Sequence, residues 1–205
     1  MTRIWSERAV EDRFVSGDPK EQTVKGSRTR AALINSAGEL FSTKGYAATS
    51  LEEIGAQLGV SRGTVLFHFD TKLALLFAVV GPLSDDIEAV ITEFEKQPTP
   101  LAVRQRRAFL SRYCDTLAAH PYAARLLVRD LSALTHLNLP ATGPGVTGRM
   151  LALLEGPDPD KSAKLRSSAA LGAMLRPLTV PPVEMDEEAR ATLVECALAA
   201  YSAKA

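Results

Sequence analysis

Residues 49–76 read TSLEEIGAQLGVSRGTVLFHFDTKLALL, and the fold turns on this stretch. Thr49 and Ser50 each stand three residues before a glutamate, Glu52 and Glu53, the reciprocal pattern that opens a helix. Leu51, Ile54 and Leu58 then fall on one stripe, and Gly59 stops the helix. Ser61 caps a second short helix whose first turn is Arg62, Gly63 and Thr64. Two short capped helices about a glycine turn form a helix-turn-helix, the unit whose second helix enters the DNA major groove.

The second helix carries chemistry suited to that role. Backbone N–H groups in its first turn point outward, ready for a phosphate oxygen or a base edge. Gly63 has no side chain to hold the DNA away. Arg62 matches a guanine edge or a phosphate, and Thr64 a base edge or a thymine methyl. Val60, Val65 and Phe69 are expected to face inward, with Leu66, Phe67 and His68 on or beside the DNA side. Lys72 is placed to grip backbone phosphate. The expected DNA-binding set is Thr49, Ser50, Ser61, Arg62, Gly63, Thr64, Phe67, His68 and Lys72.

Outward from the motif the pattern stays helical. A helix over 28–44 carries Leu33, Ala37, Leu40 and Phe41 on one stripe and ends at Gly45. After the motif, helices are expected over 71–96, 100–119, from Pro121 onward (inner face Leu126, Leu127, Leu131, Leu134), over 146–154, from beyond Pro159 to 175, and over 186–202. Pro82 lacks an N–H and crowds the preceding turn, so Gly81-Pro82 predicts a kink or break. Segments 138–145 and 176–183 read as loops. The architecture is all-α with about nine helices: a flexible arm over 1–26, a helix-turn-helix head over 27–72 and a helical body over 73–205.

Composition narrows the function classes. The chain has 205 residues, 46% hydrophobic, enough for a sizeable core. Its 24 Lys+Arg balance 24 Asp+Glu. Between 28 and 72 there are five basic residues against four acidic ones, so any DNA footprint is a few placed cations. Cys114 and Cys196 lie among apolar residues and read as buried free thiols in a reducing cytoplasm. No apolar run reaches the length of a membrane span. No two of His68, His120 and His136 lie at i,i+4 spacing, and no nucleophile elbow, phosphate loop or dinucleotide fingerprint occurs. Neither a metal, a cofactor nor an enzymatic reaction is expected. The run RQRR at 104–107 reads as a solvated helix face.

Gly45, Thr49, Ser50, Ile54, Gly59, Val60, Ser61, Gly63, Thr64, Phe67, His68, Phe69 and Lys72 together resemble the TetR family of bacterial regulators, over residues 28–76. Two positions depart from that family's pattern. Leu66 stands where a phosphate-binding Tyr is usual. Gly55 replaces a usual Ala and should loosen its helix by somewhat under about 1 kcal/mol.

The resemblance implies a DNA-reading head and a body that binds a small molecule and dimerises through its last two long helices. The expected effector residues are Phe77, Phe109, Tyr113, Arg125, Leu127 and Met174, with His136 as a further polar anchor. The expected dimer residues are Ala169, Ala170, Ala173, Leu193, Ala197 and Tyr201. It implies a cytoplasmic, homodimeric repressor of an operator, released by a small-molecule effector. Two rivals stay open: a ligand- or partner-binding module that no longer reads DNA, suggested by Leu66 and the neutral charge, and a helical enzyme, which the lack of an acid–base or metal constellation disfavours.

Overall fold

The computed structural model describes residues 24–130, 145–178 and 184–203. Among them are nine α-helices: α1 Val24–Lys44, α2 Leu51–Gln57, α3 Arg62–His68, α4 Lys72–Phe94, α5 Val103–Ala119, α6 Pro121–Arg129, α7 Val146–Glu155, α8 Lys161–Leu175 and α9 Glu187–Ser202. A single 3-10 turn, Arg176–Leu178, follows α8, and no strand occurs among the described residues. The all-α expectation holds. Most of the expected arm, together with Leu131, Leu134, His136 and most of both loops, lies outside the described residues.

The caps fall where local chemistry puts them. Ser50 accepts the Glu53 N–H while Glu53 accepts the Ser50 N–H, closing the capping box of α2. Ser61, Thr71, Asp160 and Asp186 cap α3, α4, α8 and α9. Pro121 is the first residue of α6. α1 starts at Val24, four residues before the expected 28, and so takes in the end of the expected arm.

Two apolar cores share α4. The head core joins Leu33, Ala37 and Phe41 of α1 to Ile54, Val65 and Phe69, and runs up α4 through Leu75, Leu76, Val79 and Val80. The body core starts at Leu83 and gathers Ile87, Ile91, Phe109, Leu110, Leu154, Leu171, Met174 and Val194. Gly81-Pro82 falls between them. The expected break there is absent, because α4 runs as one helix from Lys72 to Phe94 with Pro82 inside it. A mid-helix proline costs roughly 3 kcal/mol. Buried side chains in both cores, on either side of Pro82, hold the helix together against that cost.

Gly55 also departs from expectation. A Cβ at this position would lie 2.7 Å from the Val60 carbonyl oxygen and 3.2 Å from Val65 Cγ2. The missing side chain lets α2 and the turn into α3 approach closely, which outweighs the propensity loss. Gly59 makes that turn at φ +64°, in the left-handed region. Leu58 sits at the C-cap of α2 and is exposed, so the inner stripe of α2 ends at Ile54. Ser36 on α1 ties the unit together, donating to the Ile54 carbonyl at 3.2 Å and Gln57 Oε1 at 2.5 Å.

In the body, Arg149 of α7 clamps α4. Its guanidinium donates to Glu88 at 2.5 Å and to both oxygens of Glu95 at 2.8 and 2.7 Å. That hydrogen bond holds the Glu95 carboxyl below its ordinary range. The 104–107 run is solvated only in part: Arg104 and Arg107 are exposed, while Gln105 and Arg106 are half-buried. Arg106 lies 3.7 Å over the Tyr201 ring and donates to the Leu101 carbonyl, and Arg107 pairs with Glu195 of α9. These contacts fasten α5 to α9. Cys114 is buried as expected, but Cys196 is exposed, because the inward stripe of α9 is Leu193, Val194 and Ala197.

Candidate nucleic-acid interface

Val65 and Phe69 anchor α3 in the head core, at 0% and 4% exposure. The seven-residue helix therefore turns its other side to solvent. That side presents Ser61, Arg62, Gly63 and Phe67 exposed, with Thr64 and His68 half-buried at its edges. Ser61 Oγ accepts the Thr64 N–H at 3.2 Å and lies 3.1 Å from Thr64 Oγ1. Phe67 is 70% exposed, its ring edge-on to His68 with centroids 5.2 Å apart. Leu66 packs against the head core instead.

The cations nearby are already engaged. Arg62 Nε lies 2.9 Å from Glu52 Oε1 of α2, in an exposed pair that an incoming phosphate or base can displace at small cost. Lys44 pairs with Glu53, which lowers the Glu53 pKa through that hydrogen bond. Arg30 of α1 covers the Phe69 ring at 4.6 Å.

Two members of the expected set have their polar atoms engaged inside the head. Thr49 is 2% exposed, and its hydroxyl donates to the Gly45 carbonyl at 2.8 Å. It locks the turn before α2. Lys72 is half-buried, and its ammonium donates to the Thr49 carbonyl at 2.8 Å and lies 4.4 Å over the Tyr46 ring. Burial lowers its pKa, and the charges of Asp130 and Glu53 oppose that shift. Lys72 staples the head internally. Of the remaining residues, Ser61, Arg62, Gly63 and Phe67 are exposed, Thr64 and His68 are half-buried, and the half-buried Ser50 caps α2.

The expected effector residues differ in their surroundings. Phe109, Tyr113 and Met174 are packed into the body core, with the Phe109 and Tyr113 rings stacked at 6.5 Å and Phe94 edge-on to Phe109. Burial pushes the Tyr113 phenol well above its ordinary pKa. Leu127 touches both cores, Phe77 packs on the head core, and Arg125 is half-buried on α6. An open cleft of about 550 Å³ lies elsewhere, bounded by Pro177, Met185, Thr192, Leu193 and Cys196.

The expected dimer residues also divide. Ala170, Leu193 and Ala197 are buried within the protomer, and Tyr201 donates its hydroxyl to the Leu154 carbonyl at 2.8 Å. Ala173 is half-buried and Ala169 exposed. The exposed small and apolar residues of this pair are Leu165, Ala169 and Gly172 on α8, with Ala191, Cys196 and Ala199 on α9. Small residues occur all round both helices, so the sequence did not mark which side each turns inward.

Residues 33–79 match the family described as bacterial regulatory proteins, tetR family. Over 136 residues, 63% of this chain, the sequence is 29% identical to the HTH-type transcriptional regulator RutR of Escherichia coli K12 and covers 61% of that protein. Over 126 residues, 61% of this chain, it is 29% identical to the HTH-type transcriptional activator FasR of Mycolicibacterium smegmatis and covers 57% of it. The chain thus spans less than two thirds of the length of these curated relatives. The fold is similar to that of PfmR, a TetR family transcriptional regulator from Thermus thermophilus, with a TM-score of 0.62 at 17% identity over 86% of this chain and 97% of that one. The helix-turn-helix head, residues 33–79, is thus similar to that of the tetR family of bacterial regulatory proteins.

Proposed function

We propose that this protein is a cytoplasmic, homodimeric transcription regulator that binds operator DNA through α3 and represses until a small molecule occupies the body. The observation that carries the reading is the α3 face: Ser61, Arg62, Gly63 and Phe67 exposed together, backed by buried Val65 and Phe69. Ser50, Thr64 and His68 complete the contact set. Lys72 and Thr49 act behind it, by holding the turn that precedes α2. The division is a head up to about residue 80 and a body beyond it, since the two cores meet there.

Dimerisation serves the reading because a single seven-residue helix offers few base contacts, whereas two related by symmetry read paired half-sites. The proposed face is the exposed side of α8 and α9 around Ala169, Gly172 and Ala199. The effector is proposed to act among Phe77, Phe109, Tyr113, Arg125, Leu127 and Met174 by parting packed side chains. It regulates only if it prefers one head spacing over the other. Pro82, between the two cores, is the proposed flexing point.

The test is fluorescence anisotropy on duplexes selected from a random pool. Selective binding that falls steeply with salt, and that weakens about tenfold or more in Arg62→Ala, supports the reading. Binding indifferent to sequence and to Arg62 sinks it and favours a module that no longer reads DNA. Ala169→Glu should give monomers by sedimentation and lose operator affinity; a dimeric Ala169→Glu protein refutes that face. Pro82→Ala should change effector release more than DNA affinity, and equal changes refute the flexing point.

A further inference from the structure

The turn between α1 and α2, residues 45–49, is gripped by a residue far away in sequence. Tyr46 N–H donates to Asp130 Oδ2 at 2.7 Å, across 84 positions. Asp130 is the C-cap of α6, its own N–H returning to the Leu126 carbonyl. A carboxylate at a helix C-terminus meets the negative end of the dipole, which opposes it by roughly 0.3–1 kcal/mol. Asp130 is offset there by two groups of the head: the Tyr46 N–H and the positive charge of Lys72, with which it interacts.

Lys72 grips the same turn from the other side. Its ammonium holds the Thr49 carbonyl at 2.8 Å and the Ala47 carbonyl at 3.4 Å, above the buried Tyr46 ring. The turn runs directly into Ser50, which starts α2, so its position sets that of α2 and α3. At its other end α6 is held to the body half of α4, where His120 Nε2 lies 2.7 Å from Asp86. Leu126, midway along α6, is buried in the head core. The helix is a strut between body and head, with Asp130 as its head-side fastening.

We propose that Asp130 is a positioning residue: its carboxylate docks the 45–49 turn on α6 and so fixes the DNA-reading head relative to the body. This rests on the DNA-binding function proposed above, and the test separates the two. Full-length wild type, Asp130→Ala and Asp130→Asn would be compared by amide exchange and by anisotropy on a duplex selected by the wild type. In Asp130→Ala, exchange at the Tyr46 N–H should rise about tenfold or more while Val65 inside α3 keeps its protection. Affinity for the selected duplex should fall about five- to tenfold with affinity for random duplex unchanged. Asp130→Asn keeps an acceptor oxygen and should restore both to within about threefold of wild type.

Unchanged Tyr46 exchange in Asp130→Ala overturns the dock. Faster exchange with unchanged selective affinity overturns the positioning role. Should the wild type select no duplex, the DNA-reading function fails, and with it the positioning role, while the exchange arm still decides whether Asp130 docks the turn.

Discussion

In the head, Ser50, Ser61 and Thr71 each accept a backbone N–H three residues on, so each helix start is set by the residue beside it. In the α8–α9 pair the starts are equally local, at Asp160 and Asp186, but the faces are not. Ala169 is exposed and Ala170, its neighbour, is fully buried. The head contrasts small and large residues sharply, Gly against Val and Phe, so only one rotation of each helix buries the large ones. The α8–α9 pair spreads small side chains round both helices, and several rotations bury similar area. Packing against α5 and α7 then selects among them.

That contrast is broken first by core truncation. Phe41 in the head and Phe109 in the body are both essentially inaccessible, and replacing either with Ala should cost about 3–5 kcal/mol. Urea denaturation followed by amide exchange should show Phe41→Ala loosening α1 to α3 more than α8 and α9, because among the described residues the two cores share only α4 and α6. Equal loss of protection in both regions would show a single cooperative unit.

A smaller effect with a decisive sign comes from Gly55→Ala. Helix propensity alone makes Ala better by roughly 1 kcal/mol. The 2.7 Å approach to the Val60 carbonyl makes it worse, since backbone cannot move aside cheaply, and a net loss of about 1–3 kcal/mol is expected. Thermal melting decides, and a stabilised variant would mean that α2 and α3 do not depend on this close approach.

The smallest effect sharpens the body side. Glu95 has a lowered pKa because Arg149 donates to it. Its contribution to stability is therefore full above the ordinary carboxylate value of 4.5 and is lost as pH falls through the lower folded value. Arg149→Met should lower Tm by about 2–4 °C at neutral pH. The gap to wild type should narrow on acidification below about pH 4.5. A gap that stays constant with pH would show that the clamp acts through packing alone.

The legible part of the site was the part made by neighbours in sequence. Ser61, Arg62, Gly63 and Phe67 lie within one helix start, and their exposure follows from the burial of Val65 and Phe69 two to four positions along. Thr49 and Lys72 have partners inside the head that the sequence did not mark: the Gly45 carbonyl for Thr49, and carbonyls more than twenty positions away for Lys72. A lysine beside a DNA-reading helix looks identical in sequence whether it faces phosphate or a buried ring. The Asp130 contact left no local signal, since Tyr46, whose N–H it accepts, is 84 residues away.

The sequence by itself determined the helices found among the described residues, most of their caps and which side of α3 is exposed, because hydrogen bonds within a turn and the burial of large apolar residues act over a few positions. Only the tertiary structure decided that α4 passes through Pro82 unbroken, that Gly55 is needed for contact, which stripe of α8 and α9 turns inward, and that Asp130 meets Tyr46. Each of these depends on groups brought together from distant parts of the chain, whose energies are absent until the cores close around them.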